Sequence, residues 1–170
     1  PQEGWSWQDP FEDSETSWNH GLTITAANGR HFWHSNLNAP CWMRKANGDL
    51  ITQTICYPAK VGQPAIGGLL LWQDYDNFLW LMRDLHGPGE VSFAGCVGNS
   101  SSVFGRTHLD MPAEGNGGTC LRLERIGGTV RALAYSENGE WYTAGQAGFP
   151  ADSPIQIGVF ASGNIARNIY

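Results

Sequence analysis

Charge is scarce in this chain of 170 residues: only 15% are Asp, Glu, Lys or Arg, and the balance is negative, with a formal net charge of -6. That argues against a nucleic-acid backbone or an anionic membrane surface as a partner, since both call for clustered Lys and Arg. Long hydrophobic runs are missing too, and no stretch approaches the ~20 apolar residues of a membrane helix. Residues 1–18 are polar and acidic, unlike a secretory leader, which is basic and then apolar. Pro1 is not an initiator, so the chain is expected to be processed or excised from something longer. Helical periodicity is absent from every window of adequate length. The four cysteines include no C-x-x-C pair, which speaks against zinc. The five histidines (His20, His31, His34, His86, His108) show neither H-x-H nor H-E-x-x-H spacing, and His31 and His34 fall on opposite faces of a strand. There is no Gly-x-Ser-x-Gly elbow and no phosphate loop.

What is present is glycine, aromatic residues and alternation. Gly accounts for 22 residues and Trp for eight, a balance that suits an all-β domain with many turns. The clearest stretch runs from Leu121 to Trp141. Leu121 and Leu123 face one side and Arg122 and Glu124 the other. After Gly127-Gly128, Val130, Ala132 and Ala134 alternate with Arg131, Leu133 and Tyr135. A period of two marks half-buried antiparallel strands. Around a dozen such strands are expected, with 1–170 forming a single two-sheet antiparallel β-sandwich of jelly-roll type. Hairpins are expected at Asn28-Gly29, Asn47-Gly48-Asp49 and Asp74 to Asn77. Two disulfides are possible in three pairings, with Cys96 and Cys120 positioned to meet across neighbouring strands. The alternative is four buried thiols acting as small apolar residues.

Alternation also sorts faces. Leu50, Thr52, Thr54 and Cys56 share one side of a strand, and Ile51, Gln53, Ile55 and Tyr57 the other. Leu69, Leu71, Leu79 and Leu81 form the expected core. Leu70, Trp72, Phe78, Trp80 and Met82 then occupy the opposite face, which is too apolar for a plain solvated surface. Either loops cover it or it binds something.

Several segments carry a family resemblance. They are Gly21-Leu-Thr-Ile-Thr with His31-Phe-Trp33, Ala39-Pro40 leading to Gly48-Asp49-Leu50, and Gly68-Leu-Leu-Leu-Trp72 through Asp76-Asn-Phe78. Leu121-Arg-Leu-Glu-Arg through Ser136-Glu-Asn-Gly-Glu-Trp141 and Ile157-Gly-Val-Phe-Ala161 complete the set. In this order the chain resembles a bacterial concanavalin A-like domain family of unknown function, related to the C-terminal accessory modules of family 43 glycoside hydrolases. The chain departs from the family at His31 and Trp80, where an acidic residue and a Lys are usual. It also ends at Ile169-Tyr170 without the family's final strand. The resemblance implies a sandwich and a carbohydrate-related role. It also allows one structural calcium ion, for which Asp9 and Asp13 are the best oxygen donors and Asp74 and Asp76 the alternatives.

Glycosidases of the wider superfamily use Glu-x-Asp-x-x-Glu on one strand face, so that two carboxylates sit together. No strand here has that pattern. Glu124 stands alone beside Arg122 and reads as half of an ion pair. Gln53, Trp72, Trp80, Arg122, Glu124, Arg131 and Tyr135 all fall on non-core faces. They combine stacking rings with hydrogen-bonding groups, the mixture a sugar platform needs. Trp33 and Trp42 read as supports of the fold. The expected function is non-catalytic carbohydrate recognition, as an accessory or lectin-like module with a polysaccharide or glycan ligand. The alternative is a structural or self-assembling sandwich that meets a protein partner or a second copy through its aromatic face or an unfilled sheet edge. A polysaccharide-acting enzyme is the third reading. An extracellular or cell-surface location follows if the cysteines are oxidised, although a cytoplasmic one suits the charge and the missing span equally well.

Overall fold

The computed structural model describes residues 3–33, 36–57, 66–87, 89–109, 118–135, 139–151 and 153–163. Among them are fifteen strands and no helix. The chain begins with β1 (Trp5–Gln8), β2 (Glu15–Ser17), β3 (Thr23–Thr25), β4 (Phe32–Trp33) and β5 (Asn36–Leu37). Then come β6 (Cys41–Ala46), β7 (Leu50–Cys56), β8 (Gly67–Asp74), β9 (Asn77–Arg83) and β10 (Glu90–Val97). The last five are β11 (Ser100–His108), β12 (Thr119–Ile126), β13 (Thr129–Tyr135), β14 (Trp141–Gly148) and β15 (Ile155–Ala161).

Two antiparallel sheets face each other. One has seven strands in the order β1-β6-β15-β8-β9-β10-β11, and the other has four in the order β14-β13-β12-β7. Their inner faces meet in a core of Leu69, Leu71, Leu79, Leu81, Val91 and Phe93 against Leu121, Leu123, Val130, Ala132, Ala134 and Ala144. These are the inward sets that period-two alternation picks out. The turns at Asp74 to Asn77 and at Gly127-Gly128 close their hairpins as expected.

The outer face of the seven-stranded sheet is also buried. Leu70, Phe78, Trp80, Met82, Ala94, Cys41, Met43 and Phe160 form a second core under Phe32, with Trp33, Leu37 and Trp72 packed against it. Phe32 lies edge-on to Phe160 at 5.2 Å, and Trp33 to Trp80 at 6.1 Å. The short β4–β5 hairpin therefore roofs this face, which makes it a third layer. Trp42 is held between Trp7 and Trp18 and donates its indole N–H to Thr16 Oγ1 at 2.9 Å.

One side of the sandwich closes through two β-bulges. Register shifts leave Phe104 of β11 and Ala144 of β14 unpaired in their ladders. Bulges bend and twist a strand, and here they bring the two sheet edges together. A Cβ added to Gly105 would stand 2.0 Å from the Ala144 carbonyl oxygen, so only glycine allows the approach. At the other side β7 ends the four-stranded sheet.

Three expectations are corrected. The Asn28-Gly29 turn does not close a hairpin, because β3 pairs back with β2 and β4 pairs forward with β5. The turn at Asn47-Gly48-Asp49 joins β6 and β7, which lie in different sheets, so it crosses the sandwich. Cys96 and Cys120 also lie in different sheets, and all four cysteines are free thiols. The expectation for a closing strand, and those for His34 and for Ile169-Tyr170, fall outside the described residues.

Candidate functional site

The outer face of the four-stranded sheet gathers five of the seven residues singled out from the sequence. Antiparallel register sets Arg122 of β12 opposite Gln53 of β7 and Glu124 opposite Arg131 of β13. Tyr135 lies opposite Trp141 of β14. Arg122 is the centre of the group. Its Nε and Nη2 donate to Gln53 Oε1 at 3.0 and 2.8 Å. Its Nη1 lies 3.6 Å from Glu124 Oε1. Its guanidinium carbon sits 4.1 Å over the Trp141 ring, a favourable cation–π placement. The Tyr135 ring is 5.1 Å from Trp141 at an interplanar angle of 60°.

This geometry fixes the guanidinium from three sides while, among the described residues, at least two of its five N–H donors stay uncommitted. The rings of Tyr135 and Trp141 remain exposed beside it, as does Arg131. The site is a shallow shelf with a rigid cationic donor and two aromatic surfaces. Such a shelf can stack against an apolar ring face and donate hydrogen bonds to hydroxyl or carboxylate oxygens. Glu124 is the lone carboxylate in the group and is compensated by Arg122.

Trp72 and Trp80 are not part of the shelf. Both belong to the other sheet, and Trp80 is only 2% exposed beneath Trp33. Trp72 stacks on Phe78 at 5.4 Å with an interplanar angle of 22°. Alternation places a residue on a non-core face but does not say which sheet the face belongs to, so the set splits. Trp141 is the residue that sequence reasoning missed. Its signal was its position just beyond the Gly139 turn, where hairpin pairing sets it against Tyr135.

Of the two donors named for calcium, Asp13 is already engaged. Asp13 receives Nε of Arg30 at 3.1 Å and a second, very short contact from its Nη2. The Arg30 hydrogen bond holds the Asp13 carboxyl below its usual range. Asp9 Oδ2 accepts the Ser14 backbone N–H at 2.8 Å. Asp9, Glu12, Ser14 and Trp7 line an open depression of about 390 Å³, but Asp13 is neutralised by Arg30. Asp9 Oδ1 is buried without a hydrogen-bond partner among the described residues, but with Asp13 held by Arg30 the pair leaves too few free oxygens for a cation that takes six to eight. Asp74 Oδ1 accepts from Asp76 N at 2.9 Å and Asn77 Nδ2 at 3.1 Å, an ordinary hairpin turn. Among the described residues no group of three or more His, Cys, Asp or Glu gathers to hold a metal.

No family model matches the chain, and no curated protein matches it in sequence. Solved structures do match in fold. A Saccharomyces cerevisiae protein described as functionally unknown aligns with a TM-score of 0.70 at 14% identity, over 94% of this chain and 86% of that one. The Bacteroides ovatus protein described as xyloglucan PUL GH43B aligns with a TM-score of 0.67 at 14% identity, over 96% of this chain and 34% of that one. The carbohydrate-binding module CBM66 from Bacillus subtilis aligns with a TM-score of 0.59 at 12% identity, over 94% of this chain and 92% of that one. At such identities the likeness establishes the β-sandwich fold. The chain spans about a third of the GH43 protein.

Proposed function

We propose that this domain is a non-catalytic carbohydrate-recognition module, accessory or lectin-like, and that its glycan lies on the outer face of the four-stranded sheet. The observation that carries the reading is Arg122, fixed by Gln53, Glu124 and Trp141 with two exposed rings alongside. A sugar offers the complementary surface: C–H faces for Trp141 and Tyr135, and oxygens for the spare guanidinium donors. The fold it shares with a carbohydrate-binding module and with part of a GH43 protein supports the same ligand class. Among the described residues of the group, Arg122 and Arg131 give two cations against the one carboxylate of Glu124, in a chain of net charge -6, which favours glycans bearing carboxylates. With the cysteines as free thiols, the extracellular or cell-surface location that goes with this reading rests on the ligand class alone.

A glycan array followed by titration of Trp fluorescence tests the reading. Trp141→Ala removes a stacking ring and one wall of the Arg122 site. Ring contacts of this kind are worth about 0.5–1.5 kcal/mol, so binding is expected to weaken severalfold to about tenfold. Arg122→Met is expected to cost at least as much. Folded protein that binds nothing across the array, or whose binding both substitutions leave intact, refutes the site.

A further inference from the structure

We infer that β7 is a self-association strand, pairing antiparallel with β7 of a second copy about a two-fold axis through Gln53. This stands apart from the glycan reading. Its first support is in the sequence: Ile51-Thr52-Gln53-Thr54-Ile55 reads the same in both directions. A two-fold interface joins one surface to itself, so residue i meets j and j meets i. Centred on Gln53, an antiparallel pair sets Ile51 against the partner's Ile55, Thr52 against the partner's Thr54, and Gln53 against its own copy. Leu50 then meets the partner's Cys56. Every position faces a residue of matching kind, and β-branched pairs stabilise antiparallel ladders.

The second support is the state of this edge. β7 ends its sheet, and its ladder with β12 runs without a register shift from Cys56↔Thr119 to Leu50↔Arg125. Ile51 is 65% exposed, Ile55 52% and the adjoining Tyr57 64%. No residue from Leu50 to Tyr57 is charged or proline. Solitary edge strands are protected by Lys, proline, bulges or inward charges, and β7 has none of these. The missing charge also matters between copies, because two molecules of net charge -6 repel least where each presents a neutral strip. The bulged edge at Phe104 and Ala144 is closed within the molecule, so among the described residues β7 is the end of the four-stranded sheet with no strand beside it, its last carbonyl, Cys56 O, accepting from Arg83 Nη1 at 2.8 Å.

Pairing would produce one eight-stranded sheet. Arg122, Gln53, the partner's Gln53 and the partner's Arg122 would lie on one line across it. The Cα atoms of the two Arg122 residues would stand ~14 Å apart along the hydrogen-bonding direction, three strand spacings of ~4.8 Å. An interface confined to one edge is small, so the dimer is expected to be reversible and dependent on concentration.

Sedimentation equilibrium of the full chain, in a series reaching hundreds of micromolar, tests the inference. The wild-type chain is expected to pass from monomer to dimer. Ile51→Lys, at an exposed position, is expected to hold it monomeric. The double variant Ile51→Lys with Ile55→Glu sets opposite charges face to face in both halves of the two-fold pair. It is expected to restore the dimer and to make it sensitive to salt. Circular dichroism confirms that each variant keeps the sheet fold. A wild-type chain that stays monomeric overturns the inference, as does an Ile51→Lys chain that dimerises like wild type. A folded double variant that remains monomeric overturns the register.

Discussion

Arg125 shares its strand face with Leu121 and Leu123, so alternation alone sends a guanidinium into the core, where it is fully buried. An unpaired buried charge would be prohibitive. The structure supplies backbone oxygens instead. Nη1 donates to Gly48 O at 3.1 Å, and Nη2 donates to Pro150 O and Ala151 O, each at 2.6 Å. One side chain thereby ties the β6–β7 crossing to the loop that leads into β15. The residue's inward position was legible from its parity with Leu121 and Leu123. Its partners were not, because they come from segments far away in the chain. Arg125→Met should lower stability by about 1–3 kcal/mol, since the part-buried carbonyls of Gly48, Pro150 and Ala151 lose their donor. Arg125→Lys should recover only part of that, because an ammonium lacks the planar fork. Urea unfolding of the two variants beside wild type measures both effects.

Strands were far easier to read than their pairings. The alternation of β7, β12 and β13 places each residue on the face where the structure has it, because a half-buried sheet imposes period two on its side chains. Alternation carries no information about which sheet a strand joins. β6 and β7 flank a short turn like a hairpin yet belong to different sheets, and Trp72 and Trp80 share a parity class with Arg122 but lie in another sheet. The β11–β14 seam was similarly hidden. Gly105 and Gly145 look like any strand glycines until two bulges are found opposite each other. A Cβ at Gly105 would strike backbone, which cannot swing aside as a flexible side chain would. Gly105→Ala is therefore expected to pry β11 from β14 and cost about 1–3 kcal/mol. Hydrogen exchange should show the loosening first in β11 and β14, and unchanged protection there would contradict the seam.

For the molecule as a whole, stability comes from two cores and no disulfide. Its melting temperature should accordingly be the same with and without reductant. Alkali is a different matter. Burial pushes the Cys41 and Cys56 thiols up to about 12, whereas an unfolded chain ionises its thiols near pH 9. Above pH 9 the unfolded state releases protons that the folded state retains. The stability held below pH 9 is therefore lost as pH rises towards 12. Urea midpoints at pH 8 and pH 10 should show the decline, and a Cys41→Ala, Cys56→Ala chain should show less of it. An equal decline in that variant would assign the effect to other groups.

The β4–β5 roof has a consequence for the lifetime of the protein in solution. Two residue pairs join its strands, Phe32 with Leu37 and Trp33 with Asn36, with one more backbone bond from Asn38 N to His31 O at 3.0 Å, yet it shields Leu70, Phe78, Trp80 and Met82 from water. Local openings are cheapest where backbone pairing is sparse. A single proteolytic cut ahead of β6 would free β1 from the edge of the seven-stranded sheet, leave its other six strands and the four-stranded sheet paired, and strip the cover from a broad greasy surface. The damaged molecule would still look folded by far-ultraviolet dichroism while sticking to its neighbours, so the N-terminal segment acts as the solubilising coat of a sandwich that needs it little for its inner core.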